Sequence, residues 1–252
     1  MPRVLKTVVP RIRKSIQERG FLASLGRSIL LPLHILREYR ESRRPARPYA
    51  RSRFDQDHGL ETDGDREGWT YLSDLDISSP NWIHGTNYAP IEPDRFRSVL
   101  ATLPIKVEDF LFIDVGSGKG RALLLASEFS FKQIVGVEFS PQLHAIAERN
   151  IASRKASQTP GTPISSVCMD FLEFPLPPEP SVFFFFDPCD ETVLGKMLAR
   201  ISESMRLKPR ESYLVYVAPP TSKERLLDSA SALHKLVRNV EEHFCVYKLG
   251  GT

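Results

Sequence analysis

Asp114, Gly116, Gly118 and Gly120 stand at alternate positions within Leu111 to Gly120, LFIDVGSGKG, and carry the strongest chemical signal in the chain. An apolar run enters the glycine turn, and Arg121 to Ser127, RALLLAS, leaves it in a helical pattern. Strand, tight turn and helix in that order make a nucleotide-binding α/β unit. A turn this tight requires positive φ or a close approach to a ligand, and the helix behind it offers free backbone N–H groups. The spacing G-x-G-x-G is shorter than the G-x-G-x-x-G of dinucleotide folds. The Asp114 carboxylate beside the loop would repel a pyrophosphate but suits a ligand carrying an ammonium or sulfonium charge.

A second acid stands at a comparable place. Gln133 to Glu138, QIVGVE, reads as a buried strand that puts Glu138 where the second strand of a Rossmann-like sheet meets its ligand crevice. Its two oxygens could accept both hydroxyls of a ribose. Further along, Ser181 to Phe186, SVFFFF, is a strand buried on both faces that runs into Asp187-Pro188-Cys189-Asp190.

Asp114-x-Gly116-x-Gly118-x-Gly120 resembles the first motif of class I S-adenosylmethionine (SAM) dependent methyltransferases. The longer string FIDVGSGKGRALLLAS resembles a largely uncharacterised bacterial branch of that superfamily and, more distantly, the Dot1-type protein-lysine methyltransferases. Phe54, Asp55, His58, Gly59, Glu61, Thr62 and Gly64 resemble an element that precedes the SAM domain in that branch. Tyr88-Ala89-Pro90 resembles the Tyr-x-Pro segment that lies over the bound cofactor in related enzymes. The resemblance implies that Asp114 and the amides of Gly116, Ser117, Gly118 and Gly120 hold the methionine part, under Tyr88. It implies that Asp170 accepts the adenine exocyclic amine and that Phe171 packs on the ring. Local turn capping is an equal account of Asp55 and His58, and His84 reads as a turn residue beside Gly85.

Asp187-Pro188 resembles the (Asn/Asp/Ser)-Pro-Pro-aromatic element of amine-directed methyltransferases, with Cys189 in place of the second proline and Asp190 in place of the aromatic residue. There a carboxylate and the Pro188 carbonyl would hold the hydrogens of a nitrogen nucleophile and stabilise its developing charge. Pro188-Cys189 also resembles the nucleophile segment of cytosine-C5 methyltransferases. Two flanking acids would raise that thiol's pKa, however, and no Glu-Asn-Val segment follows, so a strand-end structural cysteine is the plainer reading.

These residues need a sheet to carry them. Apolar spacing predicts helices over 94–103, 141–154, 193–205 and 222–233, strands over 164–169 and 212–218, and a terminal strand pair at 236–240 and 244–249. The expected fold is α/β: a Rossmann-like, seven-stranded, mostly parallel sheet closed by an antiparallel hairpin. Three regions are expected: a basic amphipathic arm and linker at 1–53, a lid or substrate-side segment at 54–90, and the SAM-binding domain at 91–252.

The 252 residues suffice for one domain with an appendage. Residues 1–50 hold 12 Lys/Arg against 3 Asp/Glu and the remainder 22 against 28, so the body is mildly acidic and a broad nucleic-acid footprint on it is disfavoured. Residues 1–40 read as a helix packed on the domain, as a peripheral contact to an anionic membrane or acidic partner, or as an organellar presequence. No apolar stretch reaches the roughly 18 to 20 residues of a membrane span. Cys168, Cys189 and Cys245 have neither disulfide-framework nor zinc spacing, so no metal is expected and a reducing compartment is favoured. The expected function is methyl transfer from SAM, leaving S-adenosylhomocysteine, to an amine such as a protein lysine, in the cytoplasm or at a membrane surface. A nucleic-acid base or small-molecule acceptor, or a SAM-binding scaffold without catalysis, are the alternatives.

Overall fold

The structure, a computed structural model, describes residues 53–65, 68–157 and 161–250, with the side chains of 155–157 left aside. The basic arm and its expected membrane or acidic partner lie outside the described residues. Pro80–Ile83, within a 3₁₀ turn, group apart from the unit that holds 53–79 and 84–250.

The chain begins with a short helix, α1 (Phe54–His58), and reaches the sheet through α2 (Pro93–Ala101). Then follow β1 (Leu111–Val115), α3 (Arg121–Ala126), β2 (Gln133–Glu138), α4 (Pro141–Ser157) and β3 (Ile164–Cys168). The second half runs through β4 (Ser181–Phe186), α5 (Glu191–Leu207), β5 (Ser212–Val217), α6 (Thr221–Ser229), β6 (Leu233–Asn239) and β7 (Phe244–Leu249). The strands form one sheet in the order β3-β2-β1-β4-β5-β7-β6, parallel except for β7, which runs antiparallel to both neighbours. The expected seven-stranded, mostly parallel sheet with a terminal antiparallel hairpin is therefore present.

Burial follows strand position. Every residue of β1 and β5 is buried, as apolar runs covered on both faces must be, whereas the edge strand β6 is largely exposed. Alternation along β4 divides its phenylalanines. Phe184 meets Phe96 of α2 and Phe112 on one face, while Phe183 and Phe185 join Val193, Leu194 and Met197 of α5 on the other.

The largest boundary difference from expectation lies between α6 and β6. The helix predicted to reach Leu233 ends at Ser229, and β6 starts at Leu233 rather than at Leu236. The pairing explains it: Leu233 sits opposite Leu249, so β6 matches the whole length of β7 with one irregularity between Lys235 and Val237. Cys168 is exposed, Cys189 and Cys245 are buried, and all three are free thiols. No helix among the described residues is long and apolar enough to cross a membrane.

Candidate active site

The strand order reverses at β1, whose neighbours are β2 and β4, and a crevice therefore opens at their carboxyl ends. Asp114 lies near the end of β1, Glu138 ends β2, and Asp187 directly follows β4. The glycine turn between β1 and α3 holds φ of 79° at Gly116, 55° at Gly118 and 86° at Gly120. At Gly118 a side chain is excluded twice, by this φ and by the Tyr88 ring, which lies 2.1 Å from where a Cβ would stand.

Tyr88, Asp114, Gly116, Ser117, Glu138 and Pro188 line one cavity, which encloses about 590 Å³ including its open mouth. Leu72, Pro90, Ile91, Leu143, Phe184 and Phe186 complete an apolar wall. An apolar lining with a few convergent polar groups is that of a small-molecule or cofactor site. Gly118 and Gly120 are not among the residues that line the cavity.

The acids in the cavity are deeply buried. Each Glu138 oxygen accepts one backbone N–H at 2.8 Å, Oε2 from Gly118 and Oε1 from Ser140, which ties the glycine turn to the next loop. Carboxylate oxygens accept more than one bond, so both keep capacity for a ligand. Burial, with the Glu138 charge beside it, pushes Asp114 up to about 8. Burial also pushes Glu138 up to about 7, against the downward pull of the Ser140, Gly118 and Phe139 N–H groups. Ser117 Oγ, on the same wall, is buried without a hydrogen-bond partner. Two acids facing enclosed space and an orphaned hydroxyl fit a ligand that brings positive charge and hydrogen-bonding groups, as SAM does.

Asp170 and Phe171 do not reach this wall. Asp170 Oδ2 accepts the Ser79 hydroxyl at 2.6 Å and Oδ1 the Leu172 N–H at 2.9 Å. Phe171 is buried beside Phe174 and Phe185.

At the end of β4, Asp187 adopts φ 47°, an uncommon left-handed conformation of the kind that clusters at functional sites. Its Oδ1 accepts the Tyr216 hydroxyl at 2.9 Å and an ion pair from Lys223, whose side chain is nearly inaccessible. Burial, reinforced by the Asp187 charge, raises the Tyr216 phenol far above its ordinary value. Thr86 donates its hydroxyl to the Asp187 carbonyl and its N–H to the Pro188 carbonyl at 3.1 Å. Cys189 is buried against Met197 Sδ at 3.9 Å, as a structural cysteine would be.

Sequence reasoning missed the cations inside the glycine motif. Lys119 Nζ reaches the Asp63 carbonyl at 2.8 Å and Asp65 Oδ1 at 2.5 Å. Arg121 Nε donates to Thr62 Oγ1 at 2.6 Å, and its Nη2 donates to Asp63 at 2.6 Å and to Asp55 at 3.3 Å. Asp55 in turn accepts the Thr62 and Asp63 N–H groups, and Tyr88 donates its hydroxyl to the Thr62 carbonyl at 2.6 Å. Residues 55–65 thus strap over the glycine turn. The high acid content of that segment was the available signal. His58, by contrast, bonds the carbonyl of Phe54 at 2.9 Å within its own helix, a local contact.

Residues 113–186 match the family described as a methyltransferase domain. Among curated proteins, none matches the chain by sequence. Solved structures similar to it include the mitomycin 7-O-methyltransferase MmcR, at 12% identity and TM-score 0.47, over 64% of this chain and 54% of that one. An RNA methyltransferase from Salinibacter ruber is similar at 16% identity and TM-score 0.45, over 64% and 93%. The magnesium protoporphyrin IX methyltransferase ChlM from Synechocystis PCC 6803 is similar at 14% identity and TM-score 0.41, over 64% and 83%. The chain thus spans about half the length of the first of these and most of the others. The matched region runs from β1 to the end of β4 and takes in the glycine turn and the acids of the crevice, so over these residues the chain is similar to a methyltransferase domain.

Proposed function

We propose that the chain transfers the methyl group of SAM to an amine, with a protein lysine as the preferred acceptor. Asp187 carries this reading. Lys223 and Tyr216 occupy Oδ1 and fix the carboxylate, which leaves Oδ2 to accept an N–H from the acceptor. The buried Lys223 ammonium disfavours a second cation beside it and so biases an amine toward its neutral, nucleophilic form. The Pro188 carbonyl has a second lone pair for the same nitrogen.

When bound, SAM supplies an electrophilic methyl group on a sulfonium centre. Asp114 and the turn at Gly116, Ser117, Gly118 and Gly120 would hold its methionine part, Glu138 its ribose, and Asp170 with Phe171 its adenine. The adenine assignment requires Ser79 to yield its bond to Asp170. Tyr88 and the rest of 54–90 would form the lid, for which the bonds from the glycine-turn cations to residues 55–65 give support.

The test is incorporation of labelled methyl into a fractionated lysate, comparing wild type with Asp187→Asn and with Asp187→Asn/Lys223→Met, which rebalances the charge. Protease-sensitive label that falls at least tenfold in both variants, with SAM affinity retained, is the expected result. Nuclease-sensitive label would replace the amine with a nucleic-acid base, label recovered in organic extract would replace it with a small molecule, and SAM binding without transfer would favour a scaffold.

The acid pair adds a pH dependence. Asp114 and Glu138 in the folded protein hold protons that the unfolded chain loses near pH 4, so without ligand their contribution to stability is full below that and is lost as pH rises through 7 to 8. A cationic ligand favours the ionised acids and releases those protons. SAM affinity is therefore expected to rise about tenfold between pH 6 and 7.5. Calorimetry in two buffers of different ionisation enthalpy reads the released protons directly. A flat affinity with no release would count against the placement of the sulfonium amino acid at Asp114.

A further inference from the structure

His84 and Asp190 form another ionisable pair at this end of the sheet, and the amine reading above gives it no role. Gly85 and Cys189 make an antiparallel bridge. Around it Asp190 N–H donates to the His84 carbonyl at 2.7 Å and Thr86 N–H to the Pro188 carbonyl at 3.1 Å. On such a ribbon, residues two apart and residues directly opposite share a face. His84, Thr86, Pro188 and Asp190 therefore lie on one face, and Thr86 and Pro188 line the cavity. The His84–Asp190 pair stands one repeat, about 7 Å, beyond Thr86 and Pro188 on that face, outside the residues that line the cavity.

The pair is built as an oriented base. His84 Nδ1 lies 2.7 Å from Asp190 Oδ2, with the side chains 29% and 21% exposed. Asp190 Oδ1 accepts the Thr192 and Val193 N–H groups at 3.0 and 3.2 Å as the N-cap of α5, which fixes the carboxylate on a rigid helix. Facing a carboxylate oxygen, Nδ1 is the nitrogen that donates, so in the neutral ring the lone pair stands on Nε2. An imidazole with one nitrogen held by a carboxylate and the other open is the arrangement of a general base.

We propose that His84 Nε2 takes the proton that the methyl acceptor loses, with Asp190 as the positioning residue that sets the tautomer and balances the imidazolium charge. The inference rests on the amine reading. In the step, the acceptor nitrogen's lone pair forms the N–C bond while the C–S bond breaks with its electron pair remaining on sulfur. In the same step the surplus N–H proton passes to Nε2, so that products are a methylated neutral amine, a neutral thioether and a protonated His84. Asp187 and His84 thereby divide the work: one holds an N–H, the other removes a proton.

The test compares wild type with His84→Asn, which retains a side-chain N–H for Asp190 Oδ2 and removes only the distal nitrogen. The initial rate of labelled methyl incorporation from SAM into the lysate is expected to fall about 10²-fold, with SAM affinity within twofold of wild type and with the rate partly restored by added imidazole in His84→Gly. Long-range proton–nitrogen spectra of histidine-labelled protein at pH 8 give a readout independent of any acceptor. The resonance pair lost in His84→Asn should show a hydrogen on Nδ1 and none on Nε2. Transfer by His84→Asn at the wild-type rate, or a hydrogen on Nε2 with a bare Nδ1, would overturn the inference and leave the amine reading standing. A wild type that binds SAM and transfers nothing would instead overturn the amine reading beneath it.

Discussion

Arg121→Leu is expected to cost about 3–5 kcal/mol of stability, a fall of roughly 6–20 °C in Tm for a chain of this size. The guanidinium side chain is 1% exposed and holds Thr62, Asp63 and Asp55 at once, with the Phe54 ring 5.2 Å away. Leucine preserves apolar bulk but leaves two part-buried carboxylates, 13% and 30% exposed, without the Arg121 counter-charge. The loss is then dominated by acids stranded beside the site rather than by the attraction removed. Arg121→Lys should recover only part, because one ammonium cannot serve Thr62 and Asp63 from two edges of a plane. Adding Asp63→Asn to Arg121→Leu should regain stability, since it removes one stranded charge. Thermal unfolding of the four proteins decides the matter, and an Arg121→Leu Tm within 2 °C of wild type would rule out an energetic role for the strap.

Glu138→Ala is expected to weaken SAM binding about 10³-fold. Two hydrogen bonds to an ionised group are each worth about 1.5–3 kcal/mol, and the proposed ribose contacts are of that kind. Glu138 also organises its surroundings, through the Gly118 and Ser140 N–H groups, so alanine would release the turn as well as the ligand. Glu138→Gln separates the two contributions. It keeps one acceptor oxygen and the shape, and should lose less, about 10- to 10²-fold. Titration calorimetry at pH 7.5 measures both, and wild-type affinity in Glu138→Ala would remove the ribose from this position.

What could be read from the chain beforehand follows the range of the interactions. The glycine turn was legible because strand, turn chemistry and helix are written in consecutive residues, and Glu138 because a strand-end acid needs only the next βα unit for context. Lys119 and Arg121 were not, since their acids lie 54 to 66 residues earlier and a basic residue within a loop looks solvated until its partner is placed. Lys223 had the same disguise: in TSKERLLDS it reads as one polar residue of an exposed helix face, yet it is buried against Asp187. His84 looked like a turn residue because only the Gly85–Cys189 bridge brings Asp190 to it. The end of α6 was misplaced because Leu233 suits a helix face locally and owes its strand conformation to pairing with Leu249.

The strap also sets an order of events during synthesis. Asp63 precedes Arg121 by 58 residues, so at about 5–20 residues per second the acidic segment waits about 3–12 s after its own translation before the cations that clasp it exist. The region translated earlier is thus among the later ones to be secured, and closure over the glycine turn registers that β1 and α3 have formed.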